Sequence, residues 1–305
     1  MKQVVVVGTG IMAVGIAAGF LATSHQVILL GRTQSRAKEQ EVEILALTKT
    51  INPDWEASVA KLVKGEIASW ADWSEVIWVI ETIKEDMQLK QELFASLDQR
   101  VPEHIPIGSN SSGFPISQIS QSLKTAERMF NMHYFMPAHI VPLVEVVLGK
   151  VSDASMAKKV CQLFEETGKK PVLVNQDIPG FLANRIQHAL MREALALVND
   201  GIATPEDVDT AVRYSFGFRY AAVGPITQKE LSGWDVSCHS AKEIYPTLCN
   251  SNAIPQSILD MVMAGKSGVK TMQGYWQWTP EKVKALKAIY SKRLKAAFAV
   301  LKMES

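Results

Sequence analysis

Cysteine is scarce. Cys161, Cys238 and Cys249 are the only ones in 305 residues, with no framework spacing and no C-x-x-C pair. A disulfide scaffold is therefore excluded, and a reducing, cytoplasmic location is expected. Charge of one sign is lacking too: 32 basic against 31 acidic residues leave a net +1, which gives no reason to expect nucleic acid or an anionic membrane as partner. His25, His104, His139, His188 and His239 show no H-E-x-x-H or other ligand spacing, so no metal is expected. Repeats and low-complexity segments are absent. The apolar stretch 4–22 follows Lys2 as a signal-peptide core would, but no small-residue cleavage pattern follows it. At 47% hydrophobic and 21% charged, the composition is that of an ordinary globular chain, long enough for two domains.

What is present begins almost at once. Val4-Val5-Val6-Val7 makes a buried strand, and Gly8-Thr9-Gly10-Ile11-Met12-Ala13 turns it into an apolar helix reaching Leu21. The free N–H groups and positive dipole end of that helix favour a pyrophosphate. Gly8 permits the turn, Gly10 lets a phosphate approach, and Ala13 is small enough for close helix–strand packing. With Ile11 and Met12 these residues form a candidate dinucleotide site.

Short β-rich runs at 3–7, 26–30, 76–80, 105–109, 128–135 and 171–175 alternate with helical stretches, which predicts a parallel sheet covered on both faces. A helical excursion is expected from Ser35 to Lys64, interrupted at Asn52-Pro53-Asp54. Beyond Pro179-Gly180 the β signal fades. A helix is expected from Phe181 to Asn199, and Thr204-Pro205-Glu206-Asp207 and Thr279-Pro280-Glu281 each read as an N-cap with proline in the first turn. Val283, Leu286, Tyr290, Leu294, Ala297 and Leu301 recur at helical spacing. The pattern predicts an α/β Rossmann-type doubly wound domain over 1–178 and an all-α domain over 179–305.

The second strand of such a fold usually ends in an acid that holds the ribose 2′-hydroxyl of NAD. Here it ends Leu30-Gly31-Arg32-Thr33, with Arg36 one turn on. Missing acid and present base favour a 2′-phosphate, hence NADP(H) over NAD(H), and Arg32→Glu should disturb such a site. The alternative is that both arginines are solvated residues at a helix start.

His133 stands at a strand end, with Glu145 twelve residues on. Gly108-Ser109-Asn110-Ser111-Ser112-Gly113 is dense in hydroxyl and amide groups, and Pro179-Gly180-Phe181-Leu182-Ala183-Asn184-Arg185 places an amide on the first turns of the boundary helix. These blocks, in this order, resemble the 3-hydroxyacyl-CoA dehydrogenase family. The resemblance takes in Gly8–Ala17, Glu85–Lys90, Ser109–Ser112, His133–Pro137, Pro179–Arg185 and Gly268–Trp276, and runs from about residue 3 to residue 278. It implies reversible hydride transfer between the C3 hydroxyl of an L-3-hydroxy acyl substrate and a nicotinamide. His133 would be general base, Glu145 its partner, Ser112 the hydrogen-bond donor to the C3 oxygen, and Asn184 the holder of substrate or base. Glu85 and Lys90 would contact the nicotinamide ribose and Lys270 the cofactor. A homodimer through the helical domain is expected by the same analogy.

The pattern is broken at four places: Met136 stands where the family has asparagine, Gly31 where it has an acid, Met272 where it has glycine, and the 34–75 segment is short, with only Lys61 and Lys64 as a basic pair. A CoA thioester, and with it fatty acid metabolism, is therefore less secure than the dehydrogenase chemistry. Phe216-Gly217-Phe218-Arg219-Tyr220 and His133–Leu143 are similar to members that oxidise small free 3-hydroxy acids, the gulonate dehydrogenase and lens-crystallin relatives. In that setting Arg219 would bind a carboxylate; an interface ion pair explains it equally. The alternatives are a crystallin-like nucleotide-binding protein without turnover and a 3-hydroxyisobutyrate-type enzyme, whose catalytic lysine and glycine-rich substrate loop are not found here.

Overall fold

A computed structural model describes residues 2–56 and 61–304. It divides into two compact units, Met1–Arg185 and Ile186–Ser305.

The first unit is built on eight strands: β1 Gln3–Val7, β2 Gln26–Gly31, β3 Leu62–Glu66, β4 Val76–Glu81, β5 Ile107–Ser109, β6 Met129–Tyr134, β7 Leu143–Leu148 and β8 Lys170–Val174. Their order across the sheet is β3-β2-β1-β4-β5-β6-β7-β8. Every neighbouring pair is parallel except β6 and β7, which run antiparallel.

The four valines of β1 are all buried because successive side chains point to opposite faces and both faces are covered. Val4 and Val6 join Phe20 of α1 (Ile11–Ala22), Trp78 and Phe164 of α6 (Ala154–Glu166) on one face. Val5 and Val7 join Phe94 and Leu97 of α4 (Met87–Arg100) on the other. The parallel strands bring β1, β2, β4 and β5 to a common carboxyl edge, where ligands bind in such sheets.

Two expectations are corrected. Among the described residues the helical excursion comprises α2 (Gln34–Glu39) and α3 (Glu41–Ile51), its residues 57–60 lie outside the described residues, and Lys64 lies in β3 at the sheet edge. The sheet is not wholly parallel, because β7 returns beside β6. Residues 116–119 form a single-turn α5.

The second unit holds most of α7 (Ala183–Asn199), which starts two residues later than expected, then α8 (Pro205–Tyr214), α9 (Phe216–Tyr220), α10 (Pro225–Ser232), α11 (Trp234–Ile244), α12 (Gln256–Met263) and α13 (Pro280–Leu301). Thr204 and Thr279 cap α8 and α13 by accepting from Asp207 and Lys282 N–H. Within the unit, the Glu193 carboxylate accepts from Cys249 N at 2.7 Å, and Ser257 donates to Asn199 at 2.7 Å. Helices α7 to α12 bury no residue, and α13 buries only Val283. Among the described residues no helix is long and apolar enough to cross a membrane.

Candidate active site

The β6–β7 hairpin places His133 and Glu145 directly opposite one another. Their twelve-residue spacing is thus a cross-strand register. His133 Nδ1 and Glu145 Oε2 are 2.8 Å apart, with His133 2% exposed and Glu145 fully buried. The other carboxylate oxygen accepts from Leu182 N (3.0 Å) and Ala183 N (2.7 Å), the N–H groups just before and at the start of α7. A helix start is a favourable place for a carboxylate, and these donors fix its position.

The turn before α7 makes this possible. Gly180 has φ 78° and Phe181 has φ 50°, a left-handed pair that swings the two N–H groups round to Glu145. Phe181 is itself buried, with its ring 5.6 Å from the imidazole; Phe135 lies at 4.5 Å on centroids. On the far side of the ring, Nε2 meets Ser112 Oγ at 3.0 Å. A carboxylate on Nδ1 favours the Nδ1–H tautomer and leaves Nε2 as the basic atom. The result is a polar chain running from a buried carboxylate to an exposed hydroxyl, suited to taking a proton at Nε2.

Ser112 also borders a crevice of about 240 Å³ at the carboxyl edge, lined by Met12, Thr82, Ile83, Glu85, Lys90 and Asn110. Below it the glycine turn follows its expected geometry. Gly8 has φ 126°, and a Cβ there would lie 2.4 Å from Thr82 Oγ1. At Gly10, by contrast, a Cβ would meet nothing within 4 Å, and no side chain caps α1. The open space above unpaired helix N–H groups fits a pyrophosphate.

Gly31 has a local cause. A Cβ there would sit 2.7 Å from the Thr33 carbonyl oxygen and 3.2 Å from Ala37 N, so this turn excludes any acid at 31. Thr33 accepts from Arg36 N at 3.3 Å, Arg36 reaches Glu39 at 3.4 Å, and Arg32 is exposed. Lys64 is held by Glu41 at 2.6 Å.

The first unit therefore brings together His133, Glu145, Ser112, Glu85, Lys90 and the glycine turn with Met12, while Ile11 is 73% exposed beside it. Asn184 stands in the first turn of α7, and among the described residues its side chain makes no hydrogen bond within the chain. Arg219, on α9, and Lys270, in the 3₁₀ turn Val269–Thr271, belong to the second unit and are exposed. Met272 holds φ 58°, so this loop keeps the left-handed backbone that glycine would favour. Sequence reasoning missed the N–H groups of Leu182 and Ala183, the packing of Phe135 and Phe181 on the base, and the buried Glu81 beneath the crevice. Only Glu81 left a visible signal, as an acid closing an apolar strand. The described residues contain no group of three or more potential metal ligands.

Residues 3–178 match the family model described as 3-hydroxyacyl-CoA dehydrogenase, NAD binding domain, and residues 180–278 its C-terminal domain. The 5-formyl-3-hydroxy-2-methylpyridine 4-carboxylate 5-dehydrogenase of Mesorhizobium japonicum is 28% identical over 305 residues, covering 99% of this chain and 98% of that protein. The L-carnitine dehydrogenase of Oceanobacillus iheyensis is 33% identical, covering 81% and 82%. Among solved structures, one of the 5-formyl-3-hydroxy-2-methylpyridine 4-carboxylic acid dehydrogenase, an NAD+-dependent dismutase, superposes with a TM-score of 0.90 at 27% identity over 99% of both chains. The (S)-3-hydroxybutyryl-CoA dehydrogenase of Ralstonia eutropha gives 0.72 at 25% identity, over 91% of this chain and 99% of that one.

Proposed function

The chain belongs to the 3-hydroxyacyl-CoA dehydrogenase family and is an oxidoreductase acting with a nicotinamide cofactor; on that premise we propose that His133 is the general base for oxidation of a small, carboxylate-bearing L-3-hydroxy acid. The observation that carries this reading is the Glu145–His133–Ser112 chain, with 2.8 Å and 3.0 Å contacts at the two ring nitrogens.

A nicotinamide seated over the glycine turn would supply the hydride acceptor at its C4. Nε2 of His133 takes the proton of the C3 hydroxyl as the hydride leaves C3, and in the reverse direction returns it. Glu145 stabilises the imidazolium so formed. Ser112 holds the C3 oxygen against Nε2, and Asn184 is assigned to the substrate. Glu85 and Lys90 are assigned to the nicotinamide ribose and Lys270 to the cofactor. The nucleotide domain is assigned to 1–178 and the helical domain to 179–305, as the ranges of the two family models support, whereas the compact units part at 185/186.

For the substrate, the short segment before β3 argues against CoA. A CoA 3′-phosphate and pyrophosphate need several free cations, and Lys64 is already paired with Glu41. The whole-chain similarity to a pyridine carboxylate dehydrogenase, and that to L-carnitine dehydrogenase over 81% of the chain, support a small carboxylate, which Arg219 would grip with its guanidinium fork. The test is turnover of 3-hydroxybutyryl-CoA against free L-3-hydroxybutyrate, L-gulonate, L-carnitine and the pyridine aldehyde acid, each with NAD+ and NADP+. Faster turnover of the thioester removes the free-acid reading, and nucleotide binding without any turnover favours the crystallin-like one. The matches over both parts of the chain set aside the 3-hydroxyisobutyrate type.

We assign NADP(H) as the preferred nucleotide, since position 31 excludes an acid and Arg32, Thr33 and Arg36 follow it at the start of α2. Arg32→Glu should raise KM for NADP+ roughly tenfold or more while leaving KM for NAD+ near its starting value, a charge-assisted contact being worth about 1.5–3 kcal/mol. Equal effects on the two nucleotides would remove the 2′-phosphate site. A homodimer through the helical unit completes the reading.

A further inference from the structure

Strand β4 ends on a carboxylate that the proposed chemistry leaves unused. Glu81 is fully buried at the carboxyl edge of the sheet, in register with Val7 of β1 and Ser109 of β5. Its Oε1 accepts from Lys90 Nζ at 2.7 Å and Ile83 N at 2.5 Å, and its Oε2 from Ser109 Oγ at 2.7 Å. Lys90 is buried with it, 1% exposed. Burial pushes the Glu81 carboxyl above its ordinary range, opposed by the Lys90 ammonium and by the hydrogen bonds from Lys90, Ser109 and Ile83. Two buried charges are tolerated only where nearly every lone pair and proton is matched, as here.

The partners of this pair reach both sides of the crevice. Lys90 Nζ lies 3.4 Å from Glu85 Oε2, and Glu85 Oε1 accepts from Ser111 Oγ and from Gly113 N at 3.3 Å. Ser109 Oγ, which donates to Glu81, accepts in turn from Ser111 N at 3.2 Å. The 109–113 loop is thus tied to Glu81 at its root through Ser109 and at its tip through Lys90 and Glu85. Ser112, the residue touching His133, sits between the tied Ser111 and Gly113.

We propose that Glu81 is a positioning residue: it holds Lys90 at the nucleotide crevice and Ser112 against His133 as one connected unit. The inference rests on the proposed reading of that crevice as the nicotinamide site, and it assigns Glu81 no contact with substrate or cofactor. Its consequence is that nucleotide affinity and the geometry of the base share a single anchor.

The test uses the full-length protein with two variants. Glu81→Gln keeps the size of the side chain but removes the charge facing Lys90; Ser109→Ala cuts only the tie to the loop. Two readouts need no substrate: the Kd of reduced nucleotide, from its fluorescence, and the ring 15N signals of His133, with Ser112→Ala as reference for the lost contact. Glu81→Gln should weaken nucleotide binding about tenfold, the loss expected for a charge-assisted contact, and move the His133 signals towards those of Ser112→Ala. Ser109→Ala should move the His133 signals while leaving Kd within about twofold. With an active substrate, its kcat should fall by up to about 10²-fold, as for a misplaced reacting group.

Folded variants with unchanged Kd and unchanged His133 signals would overturn the proposal. Failure of the unsubstituted protein to bind nucleotide would count against the dehydrogenase reading instead, and the His133 signals would still decide the tie. Should Glu81→Gln not fold, Ser109→Ala decides alone: unchanged ring signals refute the coupling.

Discussion

His133 joins the buried carboxylate of Glu145 to the exposed hydroxyl of Ser112. One ring nitrogen is committed to Glu145 and the other faces Ser112 at an exposed position. A positioned general base contributes roughly 10²–10⁴-fold. His133→Ala should therefore lower kcat by about that factor, with nucleotide Kd and far-UV circular dichroism unchanged; a loss under tenfold would remove its role. A second residue makes a prediction about stability. Lys169 Nζ donates to the Ala138 and Val141 carbonyls at 2.5 and 2.8 Å and lies over the Tyr134 ring, tying down the connection between β6 and β7. Burial pushes its ammonium down to about 8 from 10.5. Between those pH values the unfolded chain binds the proton that the folded chain has released, so this group's contribution to stability rises with pH across that window and is lost as pH falls through about 8. Urea unfolding at pH 7.5 and pH 10 should show this gain in the unsubstituted protein and its absence in Lys169→Met; equal pH dependence in both would refute it. At this scale His133, Glu145 and Ser112 can be singled out in the sequence through the blocks that resemble the family, whereas Glu81, equally a carboxylate, is passed over because, beyond closing an apolar strand, nothing local distinguishes it from other acids. The backbone donors that hold Glu145 leave no mark at all, since any residue but proline carries an N–H.

The element that completes the site is the turn into α7. Its left-handed Gly180 and Phe181 present two N–H groups to the Glu145 carboxylate, so the start of one helix fixes the partner of the base. Proline is tolerated at the first position of a helix but has no N–H to give. Ala183→Pro should thus preserve folding and remove one hydrogen bond to a charged group, worth about 1.5–3 kcal/mol. The expected result is a drop in kcat of roughly 10–100-fold with little change in nucleotide Kd; full activity would show that Glu145 needs no anchoring from α7. The strands show where local pattern falls short. Leu62-Val63-Lys64-Gly65-Glu66 carries lysine, glycine and glutamate, which favour strands poorly, and it becomes β3 by pairing with β2 at the sheet edge. Gly65 fits because a side chain there would press on Trp70 and Leu30, a constraint set by residues outside the strand itself. Leu143–Leu148 is not among the expected strands either, although it is apolar apart from Glu145. Its antiparallel return beside β6 depends on tertiary pairing, and that pairing is what converts a spacing of twelve into a contact of 2.8 Å.

The whole molecule puts its buried core in one half. The first unit has two apolar clusters, one on each face of its sheet. In the second, Val283 is the one buried hydrophobic residue among those described after Arg185, while Leu286, Ile289 and Tyr290 of α13 stay 46%, 47% and 54% exposed, and Ile226 and Leu231 of α10 more so. The six recurring residues read as a stripe along the last helix are real in spacing, but Leu286, Tyr290 and Ala297 are exposed and Leu294 and Leu301 only half-buried. A helix buries its apolar stripe against another element, and large exposed patches mark interaction sites. A second copy of the chain is the partner that the expected homodimer supplies, and a two-fold axis makes each substitution act twice. Full burial of an isoleucine is worth about 1.5–3 kcal/mol, so Ile289→Lys on such an interface should cost about 3–6 kcal/mol per dimer, or roughly 10²–10⁴-fold in its dissociation constant. Sedimentation should show a species of twice the 33.6 kDa chain for the unsubstituted protein and a shift towards the single chain for Ile289→Lys. A monomer before substitution removes the dimer, whereas a dimer that withstands Ile289→Lys places the interface on another face of the helical unit.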